Sequence, residues 1–233
     1  MMAKTKTSGQ VGGSLAGLIH GVQLRRNGSN VTILEQDPVS DRASHQAGIS
    51  LGPNLMEFLA EYDATKSQVG IPAPFNIIAW RKYKQVYSFQ SSRHLSSWVL
   101  LYRILRANFD GMPSEAVEHP PAPRDSDGRT EFRAGKRVTA IEYSEQKDLV
   151  TVRYVDVASG EKDSITADLV LGADGIHSTV RRLMQTETVT EKEYSGYVAW
   201  RGTVQESLVS AETAEYFSGR MVFTLMKSSY MLV

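Results

Sequence analysis

Gly12-Gly13-Ser14-Leu15-Ala16-Gly17 sets the first constraint on this chain, because a cluster of glycines opens directly into a helical pattern. Leu15, Leu18, Ile19 and Val22 recur at i, i+3, i+4 and i+7, one apolar helix face. Arg25 and Arg26 suit the negative end of that helix's dipole, and Gly28 can take the left-handed conformation that closes it. Val31-Thr32-Ile33-Leu34 then reads as a short buried strand ending at Glu35. The order turn, helix, strand, acidic residue is half of a nucleotide-binding unit, in the frame G-x-G-x-x-G with Ser14 at the second glycine. Each residue type has a task there. Gly12 permits a tight turn, small residues let the backbone approach a pyrophosphate, the helix N-terminus favours its negative charge, and Glu35 can accept a ribose hydroxyl. Residues 4–11, however, read Lys-Thr-Lys-Thr-Ser-Gly-Gln-Val, too polar for the centre of a parallel sheet. This segment alone therefore leaves two readings: nucleotide binding, or a structural glycine turn.

The remaining pattern predicts an α/β fold. Residues 55–62 and 96–109 read as helices, and 75–80 and 85–89 as strands of a hairpin. Residues 113–128, rich in Pro, Asp, Ser and Glu, read as a surface loop rather than packed structure. Residues 138–143 and 149–155 alternate as strands, and Asp168-Leu169-Val170-Leu171 leads into a second turn, Gly172-Ala173-Asp174-Gly175. Ser178 is placed to cap a short helix through Leu183. Residues 194–204, 221–226 and 230–233 are expected to be strands, the last ending the chain without a turn or cap.

Composition excludes several classes of function. With 41% hydrophobic and 22% charged residues among 233, the chain is of globular type. Twenty-six basic residues balance twenty-six acidic ones, so no net field draws in nucleic acid or an anionic membrane. Cysteine is absent, which removes disulfides, thiolate metal sites and a Cys nucleophile. The five histidines lack metal-ligand spacing, so no metal is expected. Gly12-Gly13-Ser14-Leu15-Ala16 approximates the G-x-S-x-G elbow of serine hydrolases but lacks the last glycine, and His94, His119 and His177 have no telling context. Without an apolar run of about 18 residues or a signal-like start, a cytoplasmic location with no membrane span is expected.

Gly172-Ala173-Asp174-Gly175-Ile176-His177-Ser178-Thr179-Val180-Arg181 resembles the Asp-Gly motif, G-A-D-G-x-x-S-x-V-R, of single-component FAD-dependent aromatic hydroxylases. Tyr194-Ser195-Gly196-Tyr197-Val198-Ala199-Trp200-Arg201-Gly202, with Ala47-Gly48-Ile49 and the Gly-Gly-Ser turn, is similar to the branch holding 2,6-dihydroxypyridine 3-monooxygenase and many fungal FAD monooxygenases. The resemblance implies a Rossmann-like FAD-binding domain over residues 1–71 and 97–185, with part of a β-rich substrate-binding domain over 72–96 and 186–233. It implies that Gly12, Gly13, Ser14 and Gly17 line the FAD pyrophosphate, that Glu35 holds the adenosine ribose, and that Asp174 and Gly175 serve both FAD and NAD(P)H. Arg42 falls where relatives often carry a cofactor-contacting arginine, with a solvated charge as the other reading. Residues 194–202 would be a strand of the substrate sheet, with aromatic packing and substrate contact both open for it and neither Trp200 nor Arg201 assigned a catalytic role.

The implied reaction is NAD(P)H-dependent hydroxylation of a small aromatic or heteroaromatic ring by molecular oxygen, through a flavin C4a-hydroperoxide. Two departures from the family pattern stand out. Trp98-Val99-Leu100-Leu101 occupies the place of an Arg-x-x-Leu, and no G-D-A-x-H occurs before Val233, so the chain reads as C-terminally truncated. The alternative is then a non-catalytic fragment with weak or no FAD binding. A plain NAD(P)-dependent reductase is disfavoured, since Asp174-Gly175 and the stretch from Tyr197 to Trp200 would have no role in it.

Overall fold

The computed structural model describes residues 5–39, 47–82, 84–185 and 193–233. Its elements begin with β1 (Thr7–Val11), α1 (Leu15–Arg26), β2 (Asn30–Leu34), β3 (Gly48–Leu51), α2 (Pro53–Tyr62), β4 (Ile71–Arg81), β5 (Lys84–Ser97) and α3 (Trp98–Asp110). They continue with β6 (Thr130–Arg133), β7 (Lys136–Ser144), β8 (Leu149–Asp156), β9 (Lys162–Ala167), β10 (Leu169–Gly172), α4 (Thr179–Met184), α5 (Ala211–Phe217), β11 (Met221–Leu225) and β12 (Tyr230–Leu232). The chain divides into two compact units: Met1–Ala47 with Met56–Val69 and Ser97–Lys192, and Gly48–Leu55 with Gly70–Ser96 and Glu193–Val233.

The first unit is built on a parallel sheet of order β10-β1-β2-β6. Its polar strand β1 lies inside that sheet, against the sequence expectation, and the pleat explains how. Alternate residues face opposite ways. Gly9 and Val11 face the antiparallel sheet β7-β8-β9: a Cβ on Gly9 would lie 3.3 Å from Ile165, and Val11 clusters with Leu34, Val138, Val152 and Tyr154. Gln10, fully buried, faces α1. With its amide oriented to satisfy both ends, it donates to the Gly17 carbonyl and accepts from the Gly21 N–H at 3.1 Å. A buried polar side chain is tolerated when its donors and acceptors are paired, and here the helix backbone pairs them.

Helix α1 follows the predicted face, with Leu18 and Val22 buried. Gly21 lets α3 come close, since a Cβ there would sit 3.0 Å from Phe109 and 3.2 Å from Ile33. Arg25 and Arg26 do more than complement the helix dipole. Arg25 donates to the carbonyls of Asn108 and Phe109 at the end of α3, and both arginines pair with Asp127, at 3.3 and 2.5 Å. Asp127 has a side chain only 1% exposed, so the segment expected to be a plain surface loop is anchored by a buried ionic contact.

The second unit holds a five-stranded sheet of order β12-β11-β4-β5-β3. β4 and β5 form a hairpin longer than predicted, and β11 runs parallel to β4. Residues 194–204 are irregular rather than a strand, and Tyr194, Tyr197 and Trp200 are exposed, Trp200 by 92%. Among the described residues no strand pairs with them, so their backbone has no ladder to join and the aromatic, β-prone sequence cannot act by itself.

Candidate functional site

The first turn is shaped by close backbone approach. Gly12 has φ +103°, a conformation that disfavours side chains, and a Cβ there would lie 2.5 Å from the Ala173 carbonyl oxygen and 2.8 Å from the Asp174 nitrogen. The Gly12 and Asp174 turns are therefore in direct contact. A Cβ on Gly17 would collide with the Gly12 carbonyl, so this glycine seats α1 against its own turn. Backbone bonds fix the arrangement: Gly12 N–H donates to Leu34 O at 2.9 Å, and Ala173 N–H to Val11 O at 2.7 Å. Both turns lie at the carboxyl ends of parallel strands, β1 and β10, where open α/β sheets hold their ligands.

Glu35, at the end of β2 and 6% exposed, organises the turn. One carboxylate oxygen accepts the Gly13 N–H at 2.7 Å and the other the Asp37 N–H at 2.9 Å. Asp174 is committed to its own helix: Oδ1 accepts from Ser178 Oγ at 2.6 Å, and Oδ2 from the N–H groups of Thr179 and Val180 at 2.7 and 3.1 Å. Ser178 in turn caps α4 as predicted, its Oγ accepting from Arg181 N–H at 2.9 Å. Gly175 follows with φ +74°.

A cavity of about 300 Å³ opens between these turns. Gly12, Ser14, Glu35, Asp174 and Gly175, five of the residues singled out by sequence, line it together. Gly13 and Gly17 sit behind the wall, holding the turn, and Arg42 lies outside the described residues. The sequence reading missed the third wall, Lys136, Arg137 and Val138 at the start of β7. This edge is tied to the Glu35 loop by Lys136 N–H on Glu35 O at 2.7 Å and Gly135 N–H on Asp37 O at 3.1 Å. Gly135, at φ +70° in the turn between β6 and β7, precedes the predicted strand 138–143, and it is a sequence signal that could have marked this edge. Lys136 pairs with Asp156, and their hydrogen bond holds the lysine above its usual pKa and the aspartate below its own. Arg137 is exposed on the same wall, as is His177 on the Asp174 side, where Thr179 is half-buried.

The wall suits an anionic, hydrogen-bonding ligand. The N-terminus of α1 carries no acidic residue in its first turn and has Ser14 as its cap without a side-chain cap bond, so the positive end of the helix dipole is not neutralised from within the helix. The Glu35 carboxylate, which accepts the Gly13 and Asp37 N–H groups, borders the cavity. Among the described residues no cluster of three or more His, Cys, Asp or Glu could hold a metal, and no helix is long and apolar enough to cross a membrane.

A family model described as an FAD binding domain matches residues 117–230, which include Asp174 and Gly175. The FAD-dependent urate hydroxylase of Klebsiella pneumoniae is 28% identical over 211 residues, covering 90% of this chain and 51% of that protein. The 2,6-dihydroxypyridine 3-monooxygenase of Paenarthrobacter nicotinovorans is 24% identical over 223 residues, covering 95% and 49%. The solved structure of 2,6-dihydroxypyridine-3-hydroxylase from Arthrobacter nicotinovorans matches with a TM-score of 0.72 at 23% identity, over 99% of this chain and 52% of that one, which shows a common fold. The chain spans about half the length of the curated relatives it matches.

Proposed function

We propose, from the premise that this chain is related in sequence and fold to FAD-dependent aromatic hydroxylases, that its first unit binds FAD and that its second is part of a substrate-binding domain. The observation carrying this reading is the contact of the Gly12 turn with the Ala173-Asp174 turn around one cavity that Glu35 also lines. The chain's own features support a dinucleotide here: the cavity is bordered by Gly12, Ser14 and Glu35, and the α1 N-terminus faces no acidic side chain of its own first turn.

In this reading the N–H groups at the start of α1 hold the pyrophosphate, the small Ser14 keeps the approach open, Gly17 seats the helix on its turn, and Glu35 accepts a ribose hydroxyl while retaining its backbone bonds. Asp174 acts by tying its turn to α4, so that Gly175 and the wall around it keep their shape. Arg137 offers a positive charge on the cavity wall. When bound, FAD supplies hydride acceptance from NAD(P)H and activation of oxygen for insertion into an electron-rich ring. The chain's part is to bind, orient and exclude water. The proposed substrate is a small aromatic or heteroaromatic molecule, in keeping with the urate and dihydroxypyridine named for two relatives.

Titration of FAD into the purified chain, followed by flavin fluorescence, tests this. Saturable binding that ADP competes away is expected, because the adenosine diphosphate half would occupy the described cavity. Absence of saturable binding by both FAD and ADP would overturn the proposal.

A further inference from the structure

The Gly12–Ser14 turn is held from two sides, and only one of them is polar. Glu35 holds the Gly13 N–H. On the other side the edge of the Phe132 ring, from β6, lies where a side chain of residue 13 would go: a Cβ on Gly13 would be 2.5 Å from Cζ and 2.6 Å from Cε2 of that ring. The ring is itself held. The guanidinium carbon of Arg106 lies 3.7 Å from its centroid, within cation–π range. Arg106 is held over the ring by Asp110, to which it donates through Nε at 3.1 Å and Nη2 at 2.7 Å, and by the Tyr102 hydroxyl, to which it donates at 2.8 Å. Tyr102 in turn stacks on Trp98, with centroids 4.9 Å apart and planes inclined by 13°. With a side chain 5% exposed, Arg106 gives up hydration to occupy this place, and the Asp110 contact compensates for that loss.

We propose that Phe132, braced by Arg106, is a positioning residue that fixes the Gly12–Ser14 turn in the shape that receives the dinucleotide. Glycine turns have many accessible conformations, so a turn that binds tightly must have most of them removed beforehand. Within this turn, Glu35 restrains the Gly13 N–H. The ring edge restrains the backbone by filling the space beside Gly13, and the Arg106 guanidinium over the ring holds it there. A branched aliphatic side chain would fill similar volume without presenting that flat edge.

The inference rests on the FAD-binding reading, but its test has an arm that does not need the cofactor. In the ligand-free full chain, Phe132→Leu should speed hydrogen exchange at the Gly13 and Ser14 amides, whereas Phe132→Tyr, which keeps the ring, should not. Unchanged exchange in Phe132→Leu overturns the proposal whether or not FAD binds. With FAD, Phe132→Leu should weaken binding roughly tenfold and Phe132→Tyr by less than about twofold, as expected for lost preorganisation. Gly13→Ala should weaken it more strongly, since its methyl meets the ring. The double variant Gly13→Ala/Phe132→Leu should bind no worse than Gly13→Ala alone, a non-additivity diagnostic of direct coupling. Losses that simply multiply, or a Phe132→Leu protein that binds like the parent, would refute the positioning role. A parent chain that fails to bind FAD but shows the exchange effect would remove the functional reading and leave the bracing of the turn standing.

Discussion

Glu35→Gln is the most informative single substitution at the site, because it keeps the shape of the side chain and changes only charge and donor pattern. Glu35 accepts two backbone N–H bonds, from Gly13 at 2.7 Å and Asp37 at 2.9 Å, while 6% exposed. Hydrogen bonds to a charged acceptor contribute about 1.5–3 kcal/mol each. Glutamine can keep one of them as a neutral bond of about 1 kcal/mol, but it turns an NH₂ toward the other amide and leaves a buried N–H unpaired, costing about 1–3 kcal/mol. The net loss is about 3 kcal/mol or more, and at about 2–4 °C per kcal/mol for a chain of this size the melting temperature should fall by about 6–12 °C. Differential scanning fluorimetry of the ligand-free variant measures this directly. On the proposed role of Glu35 at the ribose, FAD affinity should fall by more than about tenfold in a parallel titration. A variant melting within about 2 °C of the parent would show that the carboxylate does not hold the turn, and the account of the site would be wrong.

Two further predictions concern the ionic contacts of the first unit. Asp127→Ala leaves Arg25 and Arg26 without their shared buried carboxylate and should cost about 3–5 kcal/mol, read by urea unfolding, whereas a loss below about 1 kcal/mol would mean that the loop is not anchored there. At the cavity wall, Asp156 titrates below its ordinary 3.8 and Lys136 above its ordinary 10.5, each chiefly through their mutual hydrogen bond. The Asp156 contribution to stability is therefore complete above pH 3.8 and is lost as pH falls toward the depressed folded value. The Lys136 contribution is complete below pH 10.5 and is lost as pH rises through the raised one. The melting-temperature difference between the parent and Lys136→Met should thus stay flat across the neutral range and shrink at both extremes. A difference that grows on acidification would contradict the pairing.

Much of the site was legible along the chain. The period of Leu18 and Val22, the glycines around Ser14, Glu35 closing β2 and Ser178 capping α4 all express local rules: backbone sterics, helical spacing and the needs of a helix's first N–H groups. Such rules act within a few residues and need no knowledge of the rest of the fold. Other parts were hidden for the same reason. Gln10 looked unfit for a central strand because its partners are backbone groups of a helix a turn away, and its cost depends on that packing. The segment 194–204 has strand-forming residues, but strand formation needs a neighbour, and none pairs with it among the described residues.

Spacing and residue type along the chain determined that two glycine-bearing turns, each followed by a helix start, would exist and what chemistry each could offer. Only the folded arrangement decided that they touch at Gly12 and Ala173, that the start of β7 completes their cavity, and that Phe132 and Arg106 stand behind Gly13. The reason is that neighbours across a parallel sheet are chosen by the burial of surfaces far apart in the chain, and no local propensity encodes which strand will lie beside which.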